Sequence, residues 1–188
     1  VLPAGTHTLS VLFRSESSNY HGQNATVQLV VEKATPIVTW PTPAPITYGT
    51  ALIAAINATA DVSGSFTYAP AAGTVLGVGT HQLTATFNPS NPSYVSVTTH
   101  VSIVVTKATP VIAWGSLKFV QYGTPLSATQ LDATANVPGA FVYSPAAGAV
   151  LNAGTHPLTL TFVPDDSANY TSATASSSVL VGKANPQI

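Results

Sequence analysis

Three histidines stand in one repeated setting. Gly5-Thr6-His7-Thr8-Leu9 returns as Gly79-Thr80-His81-Gln82-Leu83 and again as Gly154-Thr155-His156-Pro157-Leu158, at spacings of 74 and then 75 residues. An imidazole can ligate a metal, relay a proton or bond to backbone. A metal centre needs several ligands converging on one point. Equivalent positions, one per copy of a long repeat, stand too far apart to share an ion. The reading that fits His7, His81 and His156 is therefore structural: a ring at the start of a strand, bonded to nearby backbone. His21 and His100 occur singly, are expected on opposite faces of equivalent strands, and bring no ligand set with them. No metal and no cofactor is expected.

Other residues able to do chemistry are few. Trp40 and Trp114 occur once per complete copy and are expected as core or junction aromatics, with a stacking platform for sugars as the alternative. Tyr20, Tyr94 and Tyr170 each precede the last strand of a copy and are expected to pin its start; exposed ring faces there would favour a sugar surface. Asp165-Asp166 is the one acidic pair, with Glu16 and Asn91 in the corresponding loops. Calcium wants more oxygen ligands than these loops offer. A Lys–Asn cross-link would have to use Lys33, Lys107, Lys118 or Lys183, and three of these lie at junctions between copies rather than inside strands. No Ser-His-Asp set, phosphate-binding glycine loop or carboxylate pair in a cleft is visible, so the chain is not expected to be an enzyme.

Composition narrows the field further. Charged residues make up 6% of the 188, against about 25% in an ordinary globular chain. The net charge is -1, and without a basic stripe nucleic acid is not an expected partner. No apolar run is long enough to cross a bilayer as a helix, so membrane insertion is not expected. Cysteine and methionine are absent, which removes disulfides, thiolate ligands and Cys nucleophiles. The chain opens inside a repeat, and these residues are expected to be a segment of a longer polypeptide.

The elements that must position these residues follow from the repeat. Lys33-Ala34-Thr35-Pro36 recurs as Lys107-Ala108-Thr109-Pro110 and as Lys183-Ala184-Asn185-Pro186. A proline between two strands makes a short, stiff junction. Ile37-Val38-Thr39-Trp40 matches Val111-Ile112-Ala113-Trp114, Tyr48-Gly49-Thr50 matches Tyr122-Gly123-Thr124, and Phe66-Thr67-Tyr68 matches Phe141-Val142-Tyr143. His81, Leu83, Ala85 and Phe87 alternate with Thr80, Gln82, Thr84 and Thr86. The third copy repeats this with His156, Leu158, Leu160 and Phe162, and the first with His7, Leu9, Val11 and Phe13. A period of two with one apolar face is a half-buried antiparallel strand. Short strands separated by turns, with no helical periodicity, predict an all-β sandwich. The boundaries expected are a partial copy at 1–33 holding only the last two strands, complete domains at 34–107 and 108–183, and the start of another copy at 184–188.

The block from Asn152 to Leu158 is similar to the immunoglobulin strand-F pattern, with Asn152 at the acid position, His156 at the corner tyrosine and Leu158 at the cysteine. With the Lys-Ala-Thr-Pro junction, Tyr-Gly-Thr and the Asn-Tyr before the last strand, the whole chain resembles the tandem bacterial immunoglobulin-like repeats of large secreted and cell-surface proteins. The resemblance implies tandem immunoglobulin-like β-sandwich domains in an extended array, an extracellular or cell-surface location, and a spacer or adhesion role without catalytic residues. In the bacterial setting that the resemblance implies, most N-glycosylation patterns such as those at Asn24, Asn57 and Asn169 are chance matches.

The function expected is a structural spacer forming a stiff rod, stalk or fibre segment that self-assembles through its incomplete copy. An adhesin or carbohydrate-binding accessory module is the alternative. The partners expected are neighbouring copies in the same chain, self-association or strand addition between chains, and, on the alternative, a surface glycan. An isolated pair of strands is marginal in water, so residues 1–33 are expected to lean on the following domain or on a strand from another chain.

Overall fold

A computed structural model describes residues 1–115 and 118–185; most of the copy expected to begin at 184–188, including Pro186, lies outside them. The described residues contain strands and no helix. The first copy supplies β1 (Gly5–Phe13) and β2 (Gln23–Val31). The middle copy supplies β3 (Val38–Thr39), β4 (Ile46–Thr47), β5 (Thr59–Ala60), β6 (Gly64–Ala69), β7 (Gly79–Pro89) and β8 (Val97–Thr106). The third supplies β9 (Ile112–Ala113), β10 (Lys118–Gln121), β11 (Thr134–Ala135), β12 (Gly139–Ser144), β13 (Gly154–Pro164) and β14 (Ala173–Gly182).

The middle and third copies are built alike. Each has a four-stranded sheet, ordered β4-β8-β7-β6 or β10-β14-β13-β12, and a two-stranded sheet, β3-β5 or β9-β11. Registers correspond: Phe66 stands opposite Phe87, and Phe141 opposite Phe162. The outer strands β4 and β10 run parallel to the last strand of their copy, while the inner pairings are antiparallel. Both copies carry a cis proline after the Phe-Tyr strand, at Pro70 and Pro145.

The core follows the alternation seen in the sequence. Leu83, Ala85 and Phe87 of β7 are buried, as are Ile103 and Val105 of β8. In the third copy Leu158, Val179, Val181, Val120, Leu126 and Leu131 form one cluster, with Trp114 and Tyr143 against it. Leu160, Phe162 and Ala133 form a second, with Ile112 and Phe141 packed on it. Apolar faces of two sheets closing on each other are what make a sandwich stable, and each complete copy is an immunoglobulin-like β-sandwich. Two glycines make room for the large rings: a Cβ on Gly64 would collide with the Phe87 ring, and one on Gly139 with the Phe162 ring.

The first copy departs from expectation. β1 pairs with β2 and with nothing else among the described residues. Its apolar side chains were expected on a half-buried face, yet Leu9 is 45% exposed, Val11 65% and Phe13 60%. Phe87 and Phe162, their counterparts of Phe13, are 1% and 0% exposed. The alternation is the same; among the described residues no second sheet pairs with or covers β1.

Backbone contacts gather the chain into two compact units. One comprises Val1–Ala44, Ala51–Thr74 and Thr80–Ile103; the other comprises Pro45–Thr50, Val75–Gly79 and the chain from Val104 onward. In the second unit, therefore, three short stretches from the middle copy, the end of β8 among them, pack with residues of the third.

Candidate functional site

The repeated histidines sit at a strand corner. Gly5, Gly79 and Gly154 adopt φ values of 141°, 137° and 136°, a region open chiefly to glycine. Two residues later the histidine ring turns back along the chain. His7 Nε2 lies 2.7 Å from the Pro3 carbonyl, and His156 Nε2 lies 2.7 Å from the Asn152 carbonyl. A carbonyl only accepts, so Nε2 carries the proton in both. His81 is engaged as well. This is the back-bonding geometry in which an immunoglobulin corner tyrosine holds its loop. The single histidines stand elsewhere: His100 Nδ1 is 3.0 Å from Thr84 Oγ1 on the exposed face of β7 and β8. His21 lies in the loop before β2, not in a strand face as expected, because β2 begins only at Gln23. Among the described residues no group of His, Cys, Asp or Glu is placed to hold a metal.

Trp40 and Trp114 are half-buried and fully partnered. Trp40 Nε1–H donates to the Ala55 carbonyl at 3.0 Å, and its ring meets the Tyr68 ring at 5.5 Å and 67°. Trp114 Nε1–H donates to the Gln130 carbonyl at 3.1 Å and meets Tyr143 at 5.4 Å and 64°. Edge-to-face packing of this kind locks a ring in place.

The backbone on either side of the tyrosines before β8 and β14 bonds to the proline junctions. Ala34 N–H donates to the Ser93 carbonyl and the Ala34 carbonyl accepts from Val95 N–H, both at 2.9 Å, so Tyr94 sits in a short parallel bridge with Ala34. Ala108 treats Asn169 and Thr171 alike, at 3.0 and 2.9 Å, around Tyr170. Among the described residues Tyr20 has no such bridge, and the residue is 72% exposed.

A repeated contact that the sequence reading did not single out completes the site. Ala4 N–H donates to Ser93 Oγ at 2.9 Å. Val78 N–H donates to Asn169 Oδ1, also at 2.9 Å. Ala4 and Val78 each precede a corner glycine, and Ser93 and Asn169 each precede a tyrosine, so the two bonds join equivalent residues of successive copies. Each lies inside one of the compact units. At the second, the Tyr48 and Tyr170 rings meet edge to face at 5.4 Å and 84°. The available sequence signal was the Asn-Tyr or Ser-Tyr dipeptide; the N–H that donates to it lies too far along the chain to be read.

The charged candidates are spent on similar work. Asp166 accepts the Asn169 N–H at 3.1 Å and the Asn169 Nδ2 at 2.9 Å, which aims Oδ1 at Val78 and occupies the amide that a glycan would need. Lys107 Nζ donates to the Ser167 carbonyl at 2.6 Å. Lys118 pairs with Asp132 at 2.9 Å, and that hydrogen bond, with the Lys118 charge behind it, holds the Asp132 carboxyl below its ordinary value against partial desolvation. An open groove beside Tyr94 is lined by Val1, Pro3, Val31, Glu32, Asn91 and Ser93; Glu32 is its one carboxylate, and the Ser93 hydroxyl already accepts the Ala4 N–H.

No protein-family model matches the chain, and no curated protein matches it. Solved structures give weak superpositions. Fibronectin(III)-like modules of Clostridium thermocellum CbhA align with 79% of this chain and 94% of theirs, at 14% identity and a TM-score of 0.29. Drosophila N-cadherin EC1-3 aligns with 98% of this chain and 79% of its own, at 13% identity and a TM-score of 0.32. An endo-fucoidan hydrolase of glycoside hydrolase family 107 aligns with 97% of this chain and 34% of its own, at 14% identity and a TM-score of 0.30. At these scores no property of those proteins passes to this chain.

Proposed function

We propose that the chain is a non-catalytic extracellular structural segment, a spacer in a stiff rod, stalk or fibre, of the kind formed by tandem bacterial immunoglobulin-like repeats, with domains at 34–107 and 108–183. One observation carries this reading: the same junction bond is made twice, from Ala4 to Ser93 and from Val78 to Asn169. A linker that merely tethers needs no such bond. A spacer that must hold its angle does, because a four-residue proline junction plus one directional contact removes the freedom a flexible linker keeps. The corner histidines, the tryptophans and the tyrosines Tyr94 and Tyr170 then serve to hold loops and cores, and the surface is free of catalytic duty.

The test is alignment by NMR. Residual dipolar couplings from the middle and third copies should fit one common tensor, and Asn169→Ala with Tyr48→Ala should make them fit two. Two independent tensors in the unaltered chain would sink the spacer reading. The adhesin alternative is favoured by exposed aromatic residues, Tyr20 foremost among them at 72%. Glycan binding that disappears with Tyr20→Ala would move the conclusion to it.

A further inference from the structure

Resting on that spacer reading, in which the array carries tension, we propose that the two complete copies are graded in strength: the middle copy yields first, as a reserve of length, and the third holds. Tension along the array enters each copy at its junction lysine and leaves at the end of its last strand. Two parallel contacts stand on that path. The first is a bridge just after the lysine, from Ala34 to Tyr94 or from Ala108 to Tyr170. The second pairs the outer strand with the last, β4 with β8 and β10 with β14. Pulling one strand of a parallel pair from its N-terminal side, and the other from its C-terminal side, drives them in opposite directions along one axis. The bonds are evenly spaced along that axis, so they are loaded in shear and must fail together. The hairpin of β1 and β2 is entered at Gly5 and left at Val31, which stand opposite each other, so it opens one bond at a time.

The two copies differ in what they place on this path. β10 pairs over four residues, Lys118 to Gln121 against Val179 to Gly182, whereas β4 pairs over two, Ile46 and Thr47 against Val105 and Thr106. The sequence holds the reason. Pro45 stands where the third copy has Phe119, with Pro41 and Pro43 before it. Proline fixes φ near about −65°, away from the about −120° of a parallel strand, and the ladder stops at Ile46. Side chains widen the difference. Ser177 Oγ donates to the Gly115 carbonyl at 2.6 Å, and the middle copy has Val101 in the place of Ser177. At the entry bridge Lys107 Nζ donates to the Ser167 carbonyl at 2.6 Å, and the hydroxyls of Thr109 and Thr171 meet at 3.2 Å. Val95, in the place of Thr171, has no hydroxyl to offer.

Forced unfolding is governed by the barrier to unfolding rather than by equilibrium stability, so strength follows the bonds that must break together. Release of the middle copy would supply up to about 250 Å of extended chain, at about 3.4 Å per residue over residues 34–107, while the third copy stays folded. The proline run thus sets which copy gives way.

The absence of cysteine lets a thiol added at each end of the full chain take the handles of a single-molecule force experiment. After a short step from β1 and β2, two long steps are expected. The second should need about twice the force of the first, in line with four paired residues against two. Phe119→Pro, which gives the third copy the proline of the middle one at an exposed position, should bring both long steps to the lower force. Pro45→Phe should raise the first step towards the second. Long steps of equal force in the unaltered chain overturn the grading, as does a stronger step that Phe119→Pro leaves in place or a first step that Pro45→Phe leaves unmoved. Each of these leaves the spacer reading standing, because one common alignment tensor does not require graded copies. A chain that lengthens with no long step bears no load, and overturns both.

Discussion

At the residue scale the repeated histidine is a corner bond, and its worth can be measured. His156→Phe keeps the ring and removes the donor to Asn152. It should destabilise the third copy by about 1 kcal/mol, the usual net value of one hydrogen bond, read as a shift in its urea midpoint at unchanged slope. His7→Phe should leave that midpoint unmoved, because its corner belongs to the hairpin. The Lys118–Asp132 pair gives a pH prediction. A carboxyl held below its ordinary value adds stability above the unfolded value of 3.8, and loses it as pH falls through the folded value. Lys118→Met should raise the Asp132 midpoint towards 3.8 in a carboxyl NMR titration; a midpoint that stays where it was would mean that another group holds it down. Both contacts differ in how far they could be foreseen. The histidine reaches only four residues back, within the span of a local motif; the aspartate that Lys118 meets lies 14 residues on, beyond it.

At the element scale, one pattern has two fates. β1, β7 and β13 share the spacing of His, two aliphatic residues and Phe, and the same alternation placed an apolar face on all three. Burial came only where a second sheet stood opposite. Phe162→Ala should therefore cost about 3–5 kcal/mol, as for a large ring removed from a full core. Phe13→Ala should change the stability of the complete copies by less than about 0.5 kcal/mol, as for an ordinary surface substitution. Equal losses at the two sites would mean that β1 is covered in solution. Native-state hydrogen exchange checks the same difference without mutation: the amides of β1 and β2, a lone two-stranded sheet, should exchange well before those of β13 and β14. Strand periodicity reports which face is apolar. What covers that face comes from elsewhere in the chain.

At the scale of the whole molecule, successive copies are coupled through contacts of very long range. Ala4 and Ser93 are 89 residues apart, and Val78 and Asn169 are 91 apart. In a repeat array such contacts are the nearest-neighbour terms that make copies unfold together. A double-mutant cycle on Tyr48→Ala and Asn169→Ala should return an interaction energy on the order of 0.5–1 kcal/mol, in the range expected of side chains in one contact network. A value of zero would show that the ring contact and the hydrogen bond act independently. The sequence by itself determined the all-β fold class and the apolar faces of its strands, because a period of two is written in residues a few positions apart. Only the tertiary structure decided which apolar faces are covered and which side chain receives the Val78 amide. Both depend on segments of the chain brought together across some 90 residues, and no local pattern records that meeting.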